Sequence, residues 1–264
     1  MTTLPTRPTA PRRPSQLLAL AQLVRAELRR LVRNPMYAIG TIGFPVMFFA
    51  LFGLPVIHEV GPRNPNIGPV LLVQFAAYSL LSLAMFSFGA VVATERTGGW
   101  LRLLRSSPLP IPLYLTGKVG AALVFSAVCL LCLYTFAHFA AGVTLSLALS
   151  ISVAVKLLLA MVPLIALGLC IGFLTTPQAA QILANIVSVV MSFASGLFMP
   201  LSEMPTFVQR LAPFLPPYHV REIAANAVTG HAVAPLHWLA LLAFTLLFGV
   251  LAIWGMKRDE SREG

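Results

Sequence analysis

Long apolar runs separated by short polar stretches form the main pattern of this chain. Each run reaches the length of about 20 residues that a helix needs to cross a membrane. The stretches between them contain Gly, Pro and charged residues, which favour turns and loops. The six runs cover residues 36–57, 67–93, 119–141, 149–174, 178–199 and 236–256. The pattern predicts an all-α integral membrane protein with six transmembrane helices.

The composition supports this prediction. Of the 264 residues, 58% are hydrophobic and only 10% are charged, and the mean hydropathy is +0.87. Because a soluble domain has about 25% charged residues, the bilayer is the expected solvent. The three cysteines lie inside apolar runs, where we expect buried thiols rather than a redox or zinc site.

The segment before the first run has a different pattern. Residues 1–14 are rich in Pro, Thr and Arg and predict a disordered basic tail. Residues 15–35 (SQLLALAQLVRAELRRLVRNP) repeat apolar side chains at helical spacing, with arginines on the other face. Ser15 suits the N-cap and Asn34-Pro35 suits the end. We interpret this segment as an amphipathic interfacial helix on the inner membrane surface. A solvated helix packed on a soluble partner is the alternative.

Basic residues are distributed unequally between the two sides of the predicted membrane domain, residues 36–256. With six spans, fourteen Lys and Arg residues, Lys118 among them as a loop residue, fall on the side of both termini, and three fall on the other. Cytoplasmic loops carry such an excess. The pattern therefore predicts cytoplasmic termini, including the tail 257–264. Orientation explains the net charge of +10, and we expect no nucleic-acid partner.

The loop between the second and third runs is TERTGGWLRLLRSSPLP, residues 94–110. On a helical wheel its large apolar residues lie on one arc and Arg102 and Arg105 lie on the opposite arc. A Gly-Gly pair permits a sharp turn before this helix, and prolines end it. A loop that only sets topology is the alternative, but topology requires charge alone. The candidates for a helix that docks on a protein partner are Glu95, Arg96, Gly98, Gly99, Trp100, Leu101, Arg102, Leu103, Leu104 and Arg105.

Polar side chains form a stripe along one face of the fifth run. The stripe members are Gln178, Gln181, Asn185, Ser188, Ser192 and Ser195. Amides that face lipid are costly, so the stripe predicts a wall of a substrate path or a dimer seam, or else ordinary helix packing. In the second run, a sparser stripe that could face it consists of Gln74, Tyr78, Ser82 and Gly89. In the fourth run, Lys156 either reaches the outer headgroups or contacts an anionic substrate group or lipid phosphate.

Two stretches resemble one family, the type 2 ATP-binding-cassette (ABC) exporter permeases. ERTGGWLRLLRSSPLP (95–110) is similar to their cytoplasmic coupling segment, in which an acidic–basic pair ends the second span and Ser/Thr-Pro-Leu follows the coupling helix. SGLFMPLSEMPTFVQRLAPFLPPYHVREIAANAVTG (195–230) is similar to their element before the last span. That segment, with its prolines and a terminal Gly230, predicts two short outer re-entrant helices.

The resemblance implies a function and partners. It implies an exporter in a bacterial inner membrane, with a drug-like, lipid-like or peptide cargo. A polysaccharide or glycoconjugate exporter is the alternative. The permease would pair with a second copy or a paralogue, and each coupling helix would dock on one of two separate ABC ATPase subunits.

ATP hydrolysis by this chain itself is not expected. A phosphate-binding loop requires GxxxxGK[ST], whereas Gly117-Lys118 is followed by Val119 and lacks the upstream glycine. We therefore expect no cofactor on this chain, with ATP and Mg on the partner ATPase. A membrane-embedded enzyme would need carboxylates or histidine clusters inside the spans, and the six runs contain no acidic residue. The chain is thus expected to be a transport subunit.

Overall fold

The computed structural model describes residues 16–33, 39–106 and 110–263, and every regular element in these ranges is a helix. An N-terminal helix, α1, spans Gln16–Arg33. In these ranges six helices are long and apolar enough to cross a membrane: α2 (Ile39–Val60), α3 (Ile67–Thr97), α5 (Ile111–Ala141), α6 (Leu147–Leu174), α7 (Pro177–Ala194) and α10 (Pro235–Glu263, with the candidate span Pro235–Asp259). The predicted all-α membrane fold with six spans is confirmed.

Shorter helices connect the spans. They are α4 (Trp100–Ser106), α8 (Thr206–Leu211) and α9 (Pro216–Thr229). The end of the bundle that carries α1 and α4 is called the α4 end below, and the opposite end is called the α9 end. The predictions for the tail 1–14, for Ser15, for Asn34-Pro35 and for the exit at residues 107–109 fall outside the described residues.

Several predicted span boundaries differ from the structure, by eight residues at the start of α5, five at the end of α7 and seven at the end of α10. α5 begins at Ile111, after an extended Pro110, instead of at residue 119. The additional helical turns place Lys118 inside α5 with a relative exposure of only 3%, so Lys118 is not a loop charge. α7 ends at Ala194 instead of at residue 199, because the chain turns at Gly196 with a φ of +73°, a conformation that glycine adopts without strain.

The central helix of the bundle is α3. In its apolar window 89% of the residues are buried, against 17–61% in the other five spans. α5, α6, α7 and α9 all pack against it. α6 approaches very closely, because Gly168 and Gly172 have no side chain: a Cβ on Gly172 would lie 2.4 Å from the carbonyl oxygen of Phe88. Small residues of this kind allow the backbones of membrane helices to come together.

Helices α1 and α9 cover the two ends of this core. α1 packs on α5, and a Cβ on Gly117 would lie 2.8 Å from the Cβ of Leu23. α9 packs against α3 and α6, so it folds back onto the bundle. It ends at Gly230 in the left-handed conformation, with a φ of +75°, as the sequence predicted. The prediction of two short helices before the last span is also confirmed, as α8 and α9.

Candidate coupling helix and cargo cavity

The short helix α4 is fixed to the bundle on one side and exposed on the other. It follows a turn at Gly99, which has a φ of +76°. Leu104 is buried, with a relative exposure of 6%, whereas Trp100 is 46% exposed and Leu103 is 62% exposed. The predicted apolar face is therefore divided. Leu104 anchors the helix, and Trp100 and Leu103 remain available to a partner.

The anchor of α4 is a small apolar cluster built from several helices. Its members are Val92, Leu104, Tyr114, Cys170, Phe173 and Ala252. They come from α3, α4, α5, α6 and α10, so the cluster joins α4 to four of the spans. Arg102 is exposed and, together with Arg96, lines a cavity of about 460 Å³ at the surface beside α4. Leu101 and Arg105 belong to α4, but their side chains lie outside the described part of the structure.

Glu95, at the end of α3, belongs to a closed ring of alternating charges, called the charge ring below: Glu27 and Arg30 from α1, Glu95 from α3 and Lys118 from α5. Lys118 Nζ donates to Glu27 Oε1 at 2.7 Å and to Glu95 Oε1 at 3.1 Å. Arg30 Nη2 donates to Glu27 Oε1 at 2.7 Å, and Nη1 donates to Glu95 Oε1. The hydroxyl of Tyr114 donates to the other carboxylate oxygen of Glu95.

The carboxylates of the charge ring favour the charged form of Arg30. Burial alone would lower the pKa of Arg30, but the carboxylates of Glu95 and Glu27 outweigh it and raise this pKa above its usual value. Each carboxylate is in contact with two cations. The ring therefore satisfies charges that would otherwise be costly to bury.

Arg96, the next residue, points to the other side of the bundle. Its Nη1 donates to Asp259 Oδ1 of α10 at 2.8 Å, and its Nη2 donates to the carbonyl oxygen of Thr175 at 2.6 Å. Thr175 lies in the connection between α6 and α7. The two neighbouring residues Glu95 and Arg96 thus attach the end of α3, just before α4, to α1 and α5 through Glu95 and to the α6–α7 connection and α10 through Arg96.

The two polar stripes predicted from the sequence line one cavity of about 450 Å³ between α2, α3 and α7. Tyr78 and Ser82 contribute from α3, and Gln181, Asn185 and Ser188 contribute from α7. Aromatic side chains complete the wall: Phe44, Phe48 and Phe86. Among the described residues no charged side chain lines this cavity. It offers amide and hydroxyl groups next to aromatic rings, which suits an uncharged amphiphilic molecule.

The remaining candidates lie outside this cavity. Gln74 is buried in α3. Ser192 is buried in α7, and the hydroxyl of Ser192 donates to the carbonyl oxygen of Ser188 at 2.5 Å. Gln178 is exposed in the first turn of α7. Lys156 is partly buried on α6 and does not line the cavity.

Comparison with known proteins identifies the family. The sequence profile described as ABC-2 type transporter matches residues 19–229, well over half of the chain. The chain belongs to the ABC-2 type transporter family. It is also similar to "Putative transport permease YvfS" of Bacillus subtilis (strain 168), with 24% identity over 236 residues that cover 89% of this chain and 96% of the relative.

The ABC-2 family assigns the general role of this chain. As an ABC-2 permease with six spans, it is a multi-pass membrane protein and the membrane permease subunit of an ABC transporter. Permeases of this family work with an ABC ATPase.

At the α9 end of the permease, sequence analysis missed a histidine pair. His219 of α9 is 5% exposed, and its Nε2–H donates to the carbonyl of Pro213 at 2.9 Å. Its Nδ1 therefore accepts from the Nδ1–H of His237 of α10, at 3.0 Å. Burial lowers the pKa of His219, against the opposing effect of the Pro213 hydrogen bond, and the proximity of His237 lowers this pKa further.

Proposed function

We propose that Trp100 and Leu103 of α4 enter a groove on the ABC ATPase, so that ATP-driven movement of the ATPase reaches the spans through α4. The observation that supports this most directly is the division of α4 into a buried anchor, Leu104, and two exposed apolar side chains. A large apolar surface that remains exposed outside the membrane usually marks a protein interface. Two ATPase subunits would bind ATP and Mg, one under each permease subunit.

The orientation that this proposal requires agrees with the charge distribution. The α4 end carries the basic residues of α1, α4 and the tail, such as Arg25, Arg29 and Arg258. An excess of Lys and Arg marks the cytoplasmic side of a membrane protein. Both termini would therefore lie in the cytoplasm, with the six spans in the inner membrane of a bacterium.

The cavity between α2, α3 and α7 is the proposed cargo site. Gln181 and Asn185 are exposed on one chain, and membrane helices do not leave amides facing lipid without cost. A second permease subunit, identical or a paralogue, would cover this face and close the cavity. The uncharged lining favours a drug-like, lipid-like or peptide cargo, and the direction of transport would be export.

The decisive experiment tests the exposed face of α4. The permease with Trp100→Glu and Leu103→Glu should insert in the membrane but should no longer co-purify with its ATPase in mild detergent, because two charges would have to enter an apolar groove. The matched control replaces two exposed aromatic residues at the α9 end, Phe207→Glu and Phe214→Glu, and should retain the ATPase. Retention of the ATPase by the α4 variant would contradict the proposed docking.

A further inference from the structure

We propose that Lys118 and Glu27 are positioning residues for energy coupling. Through the charge ring they hold α1 against the base of α4, so that α1, the end of α3 and the start of α5 move as one body with α4. The inference extends the proposed docking of the ATPase on α4 and rests on it. It assigns the N-terminal helix to the moving part of the permease instead of leaving it as a passive membrane anchor.

Burial identifies Lys118 as the central member of the charge ring. Its side chain is 2% exposed, and those of Glu95 and Glu27 are 13% and 15% exposed, whereas that of Arg30 is 42% exposed. The contacts of Arg30 are thus weakened by solvent. Those of Lys118 are shielded, and a buried ammonium group is stable only while it keeps its carboxylate partners. Lys118 can therefore join α1 to α3 firmly.

Tyr114 links the charge ring to α4. Its ring lies in the same apolar cluster as Leu104, and its hydroxyl donates to Glu95. Although the turn at Gly99 separates Glu95 from α4 along the chain, these contacts fix α4 to the ring through space. A push on α4 therefore reaches Glu95 without depending on the stiffness of the turn.

Close packing prevents α1 from sliding over α5. A Cβ on Gly117 would lie 2.8 Å from the Cβ of Leu23, and a Cβ on Gly120 would lie 3.0 Å from Cγ2 of Val24. The two glycines thus let α1 pack closely on the turn of α5 that carries Lys118. Interiors packed in this way move as units and do not deform continuously.

The test uses variants that separate the ring from simple stability. Lys118→Met alone leaves two partly buried carboxylates with one exposed cation, and it should reduce stability. The double variant Glu27→Met, Lys118→Met removes one positive and one negative charge together, and such replacements are often tolerated. It should therefore fold with α1 still packed on α5, but the link from α1 to the end of α3 and to α4 should loosen, because only the exposed Arg30 would still join α1 to Glu95. Arg29→Gln is the matched control, because Arg29 is an exposed cation of the same helix.

An exchange of charges distinguishes a ring from an isolated pair. Glu27→Lys with Lys118→Glu would restore a single ion pair between α1 and α5. In the charge ring, however, the new glutamate would face Glu95 and the new lysine would face Arg30. We therefore expect the exchange variant to behave no better than Lys118→Met. Recovery of parent behaviour would show an isolated pair and would overturn the inference.

The readout is a distance within the permease–ATPase complex in nanodiscs of phosphatidylethanolamine and phosphatidylglycerol. Spin labels are placed at Ala26→Cys on α1 and Ser106→Cys on α4, both exposed, after the native cysteines are replaced by alanine. Trapping with ATP and vanadate should leave the distance unchanged in the parent and in Arg29→Gln. In the double Met variant it should change by about 2 Å or more, and ATP hydrolysis by the complex should fall about fivefold.

The outcomes separate this inference from the proposed docking. If the double Met variant keeps its ATPase but shows the distance and hydrolysis rate of the parent, the charge ring does not transmit movement. A parent distance that changes on trapping would also overturn the inference, as would failure of every ring variant to assemble, since the ring would then serve folding alone. If the parent complex contains no ATPase, the proposed docking fails, and this inference fails with it.

Discussion

Helices α3 and α7 line the same cavity but differ strongly in how far the rest of the chain buries them. In its apolar window α3 is 89% buried, and α7 is 22% buried. Tyr78 and Ser82 of α3 are enclosed by the chain itself, whereas Gln181 and Asn185 of α7 are exposed. The comparison shows that α3 belongs to the core of the chain, whereas α7 leaves a polar face exposed, which is the face that the proposed second subunit would cover.

The cause of this difference is visible in the side chains. α3 is approached on one side by α6, whose Gly168 and Gly172 allow backbone contact, and on another side by α9. α7 carries its small residues and amides on one face and large apolar residues on another. Ile182 and Val190 of this apolar face are each more than half exposed. An apolar face of this kind can meet lipid, but the amide face needs protein or water.

The largest effect is expected from separating α6 from α3. Gly172→Leu would place a Cβ 2.4 Å from the carbonyl oxygen of Phe88, so the two backbones would have to move apart. Overpacking of this kind costs typically about 1–3 kcal/mol and occasionally more. We expect a clear loss of thermal stability of the detergent-solubilised permease, measured by a melting curve.

The control for this variant is another glycine in a span. A Cβ on Gly249 of α10 would meet no heavy atom within 4 Å, so Gly249→Leu should change the melting temperature little. Equal losses for the two variants would show that leucine is tolerated poorly at any span glycine. In that case the close contact of α3 and α6 would not be the reason.

A smaller effect is expected from removing the amides of α7. Gln181→Leu with Asn185→Leu should leave the stability of the single subunit unchanged, since both side chains are exposed on it. The dimerisation constant, measured by native mass spectrometry, should fall about threefold for each hydrogen bond lost, because hydrogen bonds between membrane helices contribute about 0.6 kcal/mol on average. Ile182→Val with Ile186→Val, at exposed apolar positions of the same helix, is the control. An unchanged dimer fraction would place the seam elsewhere.

The sequence was sufficient to predict the spans and the polar stripes, because both depend on local periodicity. It could not predict the charge ring, since Lys118 meets Glu27 and Glu95 across 91 and 23 residues. The sequence also could not predict which apolar side chain of α4 is buried against the bundle. The apolar cluster that contains Leu104 also includes Cys170 and Ala252, which come from other helices, and a helical wheel shows no neighbours.

The histidine pair at the α9 end helps to hold in place a helix that buries part of α3. α9 packs against α3, and the contact between His219 and His237 holds α9 to α10. The hydrogen bond requires at least one neutral ring, and protonation of both rings would place two cations 3.0 Å apart. Glu222 partly opposes the lowered pKa of His219. Acidification should therefore weaken the support that α9 gives to α3.

The smallest effect is thus a dependence of stability on pH. Because the pKa of His219 is lowered in the folded state, the unfolded chain binds more protons, and the pair's contribution is complete above the unfolded value of about 6.5. It is lost as the pH falls below that value.

Between pH 7.5 and pH 5 the melting temperature should fall by about 2–4 °C more in the parent than in His219→Gln. His58→Gln, at an exposed histidine of the same end, should behave like the parent. Equal pH dependence in parent and His219→Gln would mean that the pair does not brace α9.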